Sequence, residues 1–143
     1  MLQITLIRHG IAEDKKIWQS DFDRALTSQW RKKLLKHLEK HHESLCSIDT
    51  IICSPSLRTR QTCALLCSVI DIIWEKIIYD KNLYMFENNY QILLHTIAQY
   101  NKNMTHICLV GHDYGISDLA MHFSPGNERM KNWEIRTFSI KSL

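Results

Sequence analysis

LQITLIRHG, residues 2–10, is an apolar, β-branched run that changes abruptly to arginine, histidine and glycine. An apolar run of this length is typical of a buried strand, and the polar residues directly behind it predict a functional loop at the strand's end. Glycine in such a loop lets the backbone come close to a ligand. Arg8, His9 and Gly10 are therefore the first candidate site residues.

Two later segments repeat this arrangement. Residues 48–53 are apolar and stop at Ser54-Pro55, with Arg58 just beyond, and residues 106–110 are apolar and stop at Gly111-His112. In open α/β sheets, ligands bind at the carboxyl ends of the strands. If these strands are neighbours, two arginines and two histidines converge on one crevice: Arg8, His9, Arg58 and His112.

Segments with helical periodicity separate the apolar runs. The predicted helices are Thr27 to about His42 with Thr27 or Ser28 as cap, Ser54-Pro55 through Val69 with Ser54 as cap, 91–100, and about 115–122. Residues 76–79 and 133–140 predict two further strands, the last at an edge. This alternation predicts an α/β fold with a mainly parallel sheet, helices on both faces and one antiparallel strand. We expect a single domain over residues 1–143.

The bulk properties argue against several classes of protein. The net charge is only +3, and the basic residues 31–33 and Lys36 predict a solvated helix face, so nucleic-acid binding is not expected. The longest apolar segment, residues 63–74, is too short to span a bilayer, and the N-terminus lacks the order of a signal peptide. Five cysteines without a CxxC pair suit a reducing compartment, which predicts a cytoplasmic protein.

Two arginines and two histidines in one crevice predict phosphate chemistry. Guanidinium groups stay charged and offer forked donors that match phosphoryl oxygens. A neutral His9 has a lone pair with which to attack phosphorus, and a protonated His112 would neutralise charge in the transition state. No cofactor is expected, and no metal either, since the chain has no HExxH motif and no zinc-type cysteine–histidine spacing.

Four motifs together resemble the histidine phosphatase superfamily, and most of all its small SixA-type phosphohistidine phosphatases: LIRHG (6–10), DRALT (23–27), SPSLRTRQT (54–62) and VGH (110–112). The resemblance extends over the whole chain and implies a three-layer α/β/α sandwich of the phosphoglycerate mutase-like kind. It also implies that His9 is the phosphorylated nucleophile and that Arg8, Arg58 and His112 complete the pocket.

The substrate class depends on the leaving group. Superfamily enzymes that cleave esters usually carry an acid that protonates an alkoxide, and here Glu87 is the best candidate, with Asp113 and Asp14 behind it. Imidazole, whose protonated form has a pKa near ~6.5, needs far less help to leave. The lack of an obvious acid, in a chain too short for a cap domain, favours phosphohistidine on a partner protein such as a histidine phosphotransfer domain.

Two alternatives stay open at this stage. The same pocket would suit a phosphomonoesterase acting on a small ester, in which Glu87 would be required. It would also suit a module that binds phosphate or phosphohistidine without turnover, for instance if Asp113 repels the dianion. Asp113-Tyr114 stands where members of the resembled family often carry Asn-Pro or Glu-Pro, so substrate preference is expected to depend on this part of the rim.

Overall fold

A computed structural model describes residues 1–100 and 102–143. Within this part of the chain, five strands form one sheet in the order β3-β2-β4-β1-β5: β1 (Leu2–Arg8), β2 (Thr50–Cys53), β3 (Ile77–Tyr79), β4 (His106–Gly111) and β5 (Ile135–Ile140). Strands β1 to β4 run parallel, and β5 pairs antiparallel with β1. The predicted mainly parallel sheet with an antiparallel edge strand is confirmed.

Helices connect the strands: α1 (Ser28–Lys40), α2 (His42–Leu45), α3 (Leu57–Val69), α4 (Asn82–Met85), α5 (Tyr90–Tyr100) and α6 (Gly115–Phe123). The predicted cap of α1 is confirmed, because the Thr27 hydroxyl accepts a hydrogen bond from the Trp30 backbone N–H at 3.2 Å. The predicted cap of α3 is wrong, because this helix begins at Leu57, directly after Ser56. Ser54 is engaged elsewhere, with its hydroxyl 2.7 Å from Nε2 of His112.

Alternate residues of β4 show that both faces of the sheet are covered. Ile107 and Leu109 belong to a buried cluster with residues of α5 and α6, whereas Cys108 and Val110 belong to a second one with residues of α1 and α3. Successive residues of a strand point to opposite faces. Helices α5 and α6 therefore cover one face and α1 and α3 the other, which confirms the three-layer α/β/α arrangement.

The strand register brings the polar strand ends together. Arg8 at the end of β1 lies opposite Gly111 of β4, and Cys53 at the end of β2 lies opposite Val110. The residues that follow these pairs are therefore delivered to one edge of the sheet by three neighbouring parallel strands. This is the edge at which the sequence predicts a site.

Three further expectations concern the chain as a whole. All five cysteines are free thiols, and burial raises the pKa of the Cys108 thiol well above its usual range, so this thiol is chemically inert. Across residues 1–100 and 102–143, no helix combines the length and the apolar character that a membrane span requires. The assignment of residues 1–143 to one domain stays a prediction, as does the cytoplasmic location.

Candidate active site

A cleft of about 430 Å³ lies at the carboxyl ends of β1, β4 and β2. Its lining includes all four residues that were predicted to share a site: Arg8, His9, Arg58 and His112. Glu87 and Asp113 line it as well, whereas Asp14 is exposed and lies outside it. Gly10 is buried directly behind His9, where an added Cβ would come within 3.3 Å of the Leu26 side chain.

His9 has the protonation state that a nucleophile needs. Its Nδ1 lies 2.6 Å from the carbonyl oxygen of Gly10, and because a carbonyl only accepts, Nδ1 carries the proton of the neutral ring. The lone pair is then on Nε2. Burial lowers the pKa of His9 to about 4, and the positive charges of Arg58 and Arg8 act in the same direction against the Gly10 hydrogen bond. His9 is therefore neutral at pH 7.

His112 is almost completely buried beside His9, and their ring centroids are 5.1 Å apart. Its Nε2 lies 2.7 Å from the Ser54 hydroxyl, while its Nδ1 has no hydrogen-bond partner. Burial lowers the pKa of His112 to about 2, with further lowering by His9 and Arg58. His112 is therefore neutral, because its surroundings are dry and already positive, and its protonation beside a phosphoryl group stays a prediction. The negative charge of a phosphoryl dianion in the cleft would offset these positive charges and thereby raise the pKa of His112.

Backbone carbonyls hold both arginines in place. Arg58 is 3% exposed and donates to the carbonyl of Asp21 at 2.8 Å and to its carboxylate at 3.1 Å. Arg8 donates to the carbonyl of Met130 at 2.7 Å. The buried Nε atoms of both arginines have no partner. Two fixed guanidinium groups with unused donors are suited to binding the oxygens of a phosphoryl group.

Sequence reasoning missed Asp21, which lines the cleft, and Tyr84, which donates a hydrogen bond to Asp21. The Asp21 carboxylate accepts hydrogen bonds from Arg58 and from Arg24 Nε, and from the Tyr84 hydroxyl at 3.0 Å. Burial alone would raise the pKa of Asp21, but Arg58, Tyr84 and Arg24 outweigh it and bring the pKa to about 2. Asp21 is thus a permanent counter-charge to Arg58. Its position directly before the motif at residues 23–27 is the one sequence signal that could have identified it.

Glu87 is the candidate acid, and the sequence left open whether it reaches the pocket. The structure places it there, with Oε2 3.7 Å from Nδ1 of His112. Its backbone is fixed because the Gly115 N–H donates to the Glu87 carbonyl at 2.8 Å, an approach so close that a Cβ on Gly115 would lie 2.1 Å from that oxygen. Burial raises the pKa of Glu87, so this carboxyl binds a proton more readily than an exposed glutamate does.

Asp113 brings a negative charge to the rim, but two cations compensate it. Its carboxylate pairs with Arg129 and lies 3.7 Å from Arg8. The Arg129 guanidinium also covers the Tyr114 ring at 3.8 Å from its centroid. Repulsion of a phosphate dianion by Asp113 is reduced accordingly, which weakens the main argument for a site that binds without turnover.

Comparison with known proteins gives both a family and structural relatives. The family model described as "Histidine phosphatase superfamily (branch 1)" matches residues 4–84. The SixA protein of Agrobacterium tumefaciens, assigned as a phosphohistidine phosphatase, has a TM-score of 0.82 at 19% identity, with 95% of this chain and 90% of that chain covered. The structure of the protein histidine phosphatase SixA complexed with tungstate has a TM-score of 0.74 at 18% sequence identity. The match covers 92% of this chain and 82% of that chain. A mycobacterial glucosyl-3-phosphoglycerate phosphatase has a TM-score of 0.73 at 12% sequence identity, and the match covers 97% of this chain and 90% of that chain. No curated protein sequence matches the chain.

Proposed function

Because the chain belongs to the histidine phosphatase superfamily, we propose that it removes the phosphoryl group from phosphohistidine on a partner protein, with His9 as the nucleophile. One observation carries this proposal above the others: a neutral His9, with its proton held on Nδ1 by Gly10, lines the same cleft as two fixed arginines. This arrangement offers a nitrogen lone pair and an anion-binding site in the same cleft.

The first chemical step transfers the phosphoryl group to His9. The Nε2 lone pair forms a bond to phosphorus, the phosphorus–nitrogen bond of the substrate breaks, and its electron pair stays on the imidazole nitrogen, so that a substrate ring already protonated on its other nitrogen departs as neutral imidazole. The Gly10 carbonyl then faces the Nδ1–H of a positively charged ring, which it stabilises. Arg8 and Arg58 offset the charge on the phosphoryl oxygens during transfer.

The second step restores the enzyme. Water attacks phosphorus, the bond to Nε2 breaks with its electron pair returning to Nε2, and inorganic phosphate leaves with the protons that the water supplies. His112, which is held by the buried Ser54 hydroxyl, lies beside the reacting histidine and lines the same cleft, so it can interact with phosphoryl oxygens. The negative charge of the phosphoryl group favours protonation of His112 during this cycle, although its surroundings alone keep it neutral.

Two considerations support phosphohistidine as the substrate. An imidazole leaving group needs little acid assistance, so the neutral, dry surroundings of His112 are no obstacle. The cleft, of about 430 Å³, also leaves room for a side chain presented by another protein. A histidine phosphotransfer domain is the kind of partner that presents such a side chain.

The proposal is tested by phosphate release from a phosphorylated histidine phosphotransfer domain and from an aryl phosphate. Wild type should release phosphate from the domain and form an acid-labile phosphoenzyme, and His9→Ala should do neither. His95→Ala, which removes an exposed histidine, is the matched control and should retain both. Phosphate binding without release from either substrate would contradict the proposal and leave a binding module.

A second candidate function, hydrolysis of a small phosphate ester, is favoured by one observation. Glu87 lies in the cleft, and its raised pKa suits an acid that protonates an alkoxide. Glu87→Gln separates the two functions. An esterase would lose about 10²–10⁴-fold in kcat on the ester, the range of general acid catalysis, whereas hydrolysis of phosphohistidine should change little.

A further inference from the structure

Helix α1 carries the net positive charge of the chain. It contains five basic residues and one acidic residue, so the helix alone has a charge of +4, whereas the whole chain has +3. The rest of the molecule is therefore slightly acidic. A positive charge confined to one helix acts locally and does not surround the protein.

Part of this charge lies beside two tryptophans in a second cleft, of about 470 Å³, here named the basic-aromatic cleft. Its lining consists of one stripe of α1 and one residue before β5: Trp30, Lys33, Lys36, His37, Lys40 and Trp133. The rings of Trp30 and Trp133 stack with centroids 4.4 Å apart, and the Lys33 ammonium lies 4.6 Å from the centroid of the Trp30 ring. Lysines over stacked indoles form a surface that attracts acidic groups and also offers apolar contact.

The lysines of the basic-aromatic cleft are not neutralised. In the part of the chain that the structure describes, no ion pair includes Lys33, Lys36 or Lys40. The one acidic residue of α1, Glu39, takes part in no ion pair in the same described part of the chain. Glu134, whose charge acts on His37, is already paired with Arg136. The three ammonium groups are exposed and available to a partner.

Trp133 connects this cleft to the candidate nucleophile. Its backbone N–H donates to the carbonyl of His9 at 3.1 Å, while its ring stacks in the basic-aromatic cleft. Its φ of 59° is a left-handed conformation that a bulky residue rarely adopts, and such strain persists only where the surroundings impose it. One backbone hydrogen bond thus connects a lining residue of the basic-aromatic cleft to His9.

We propose that the basic-aromatic cleft is the docking surface for an acidic protein that carries the phosphorylated histidine, an inference that rests on the proposed function. The stripe from Trp30 to Lys40 extends about 15 Å at the rise of an α-helix. Acidic side chains on successive turns of a partner helix would pair with the lysines, while an apolar residue packs on the tryptophans. An acidic protein is favoured over a nucleic acid because the unpaired lysines are confined to one short stripe, whereas nucleic-acid binding calls for a denser and more extended basic surface.

The test reverses the charge of the cleft and compares a protein substrate with a small one. The variant K33E/K36E/K40E should lose at least about tenfold in kcat/KM for a phosphorylated, acidic histidine phosphotransfer domain at low salt. Its kcat/KM for free phosphohistidine should stay at the wild-type value. High salt should reduce the difference between wild type and variant, because exposed charges are screened.

The matched control is K76E/K102E/K141E, which changes the net charge equally. These lysines are exposed and lie near the ends of β3, β4 and β5 opposite to the candidate active site. The control should retain wild-type kinetics on both substrates. An equal loss in both triple variants, or no loss in K33E/K36E/K40E, would overturn the docking surface while leaving the proposed function intact.

Failure of the proposed function would look different. Wild type would then hydrolyse neither free phosphohistidine nor the phosphorylated domain. Binding of the unphosphorylated acidic domain, followed by tryptophan fluorescence, still tests the docking surface in that case, since it should weaken only in K33E/K36E/K40E. Loss of this binding difference, or tighter binding of a single-stranded DNA oligonucleotide than of the acidic domain, would overturn the inference.

Discussion

The candidate active site and the basic-aromatic cleft have similar volumes, about 430 and 470 Å³, but they hold their charges in opposite ways. In the candidate active site, Arg58 is 3% exposed and its donors are directed by the backbone and carboxylate of Asp21. In the basic-aromatic cleft, Lys33, Lys36 and Lys40 are exposed. Buried, fixed charge acts strongly on a bound group, whereas exposed, mobile charge is screened and mainly guides association. The first arrangement is suited to chemistry and the second to recognition.

The difference between buried and exposed charge should appear most strongly when a buried arginine and an exposed arginine are removed in turn. Arg58→Ala removes a fixed donor to the phosphoryl group and should lower kcat by about 10²–10³-fold, the usual cost of losing one such donor. Arg60→Ala removes an exposed arginine two residues further along α3 and should leave kcat unchanged. Steady-state phosphate release measures both.

Arg58→Lys sharpens this comparison, because it retains the positive charge but not the planar fork. Its kcat should lie between those of wild type and Arg58→Ala. Equal activity of Arg58→Lys and wild type would mean that charge alone matters and that the fixed geometry of the cleft contributes nothing. Urea unfolding of each variant separates a loss of activity from a loss of stability.

The pH dependence of stability tests the claim that the active-site histidines are held neutral. The pKa of His9 is about 4 in the folded chain and near 6.5 when unfolded, so between these values the unfolded chain binds more protons. The contribution of His9 to the free energy of unfolding should therefore be fully present above pH 6.5. As the pH drops towards 4 this contribution should be lost, which lowers the free energy of unfolding by about 3 kcal/mol. His112 contributes with the same sign. Urea titrations between pH 4 and 8 measure this.

His9→Gln supplies the control for that measurement. Glutamine does not titrate, so the variant should lack the contribution of His9 to the pH dependence of stability. Its free energy of unfolding should therefore fall less between pH 6.5 and 4 than that of wild type. His95→Gln, at an exposed position, should keep the wild-type profile. A wild-type stability that does not change between pH 7 and 4 would contradict the depressed pKa of His9.

The parts of the molecule that the sequence predicted share a physical basis. Apolar runs at residues 2–7, 48–53 and 106–110 report burial directly, and the polar residues behind them follow in covalent order, so Arg8, His9 and His112 were found together. Arg58 was found because it lies in the first turn of the helix behind the second run. These features are local in sequence.

The parts that the sequence did not predict depend on contacts between distant segments. Asp21 meets Tyr84 across 63 positions of the chain, and no local pattern announces that pair. Ser54 was assigned as a helix cap because its partner, His112, lies 58 positions away. The neutral state of His112 depends on burial and on neighbouring charges, which only the folded chain defines. The catalytic roles of the cleft residues stay predictions until the variants are measured.

Trp133 lines the basic-aromatic cleft and bonds the backbone of His9, and it offers the smallest but most specific test of the connection between the two clefts. Trp133→Ala and Trp133→Gly both remove the ring that stacks on Trp30, so the two variants differ only in the backbone. If the φ of 59° is imposed by the hydrogen bond to His9, glycine should relieve the strain, and Trp133→Gly should be more stable than Trp133→Ala by about 1 kcal/mol in urea unfolding. The same pair at Lys36, inside α1, should show the opposite order, because glycine destabilises a helix interior relative to alanine. The same order at both positions would mean that Trp133 is not strained and that the basic-aromatic cleft has no mechanical link to His9.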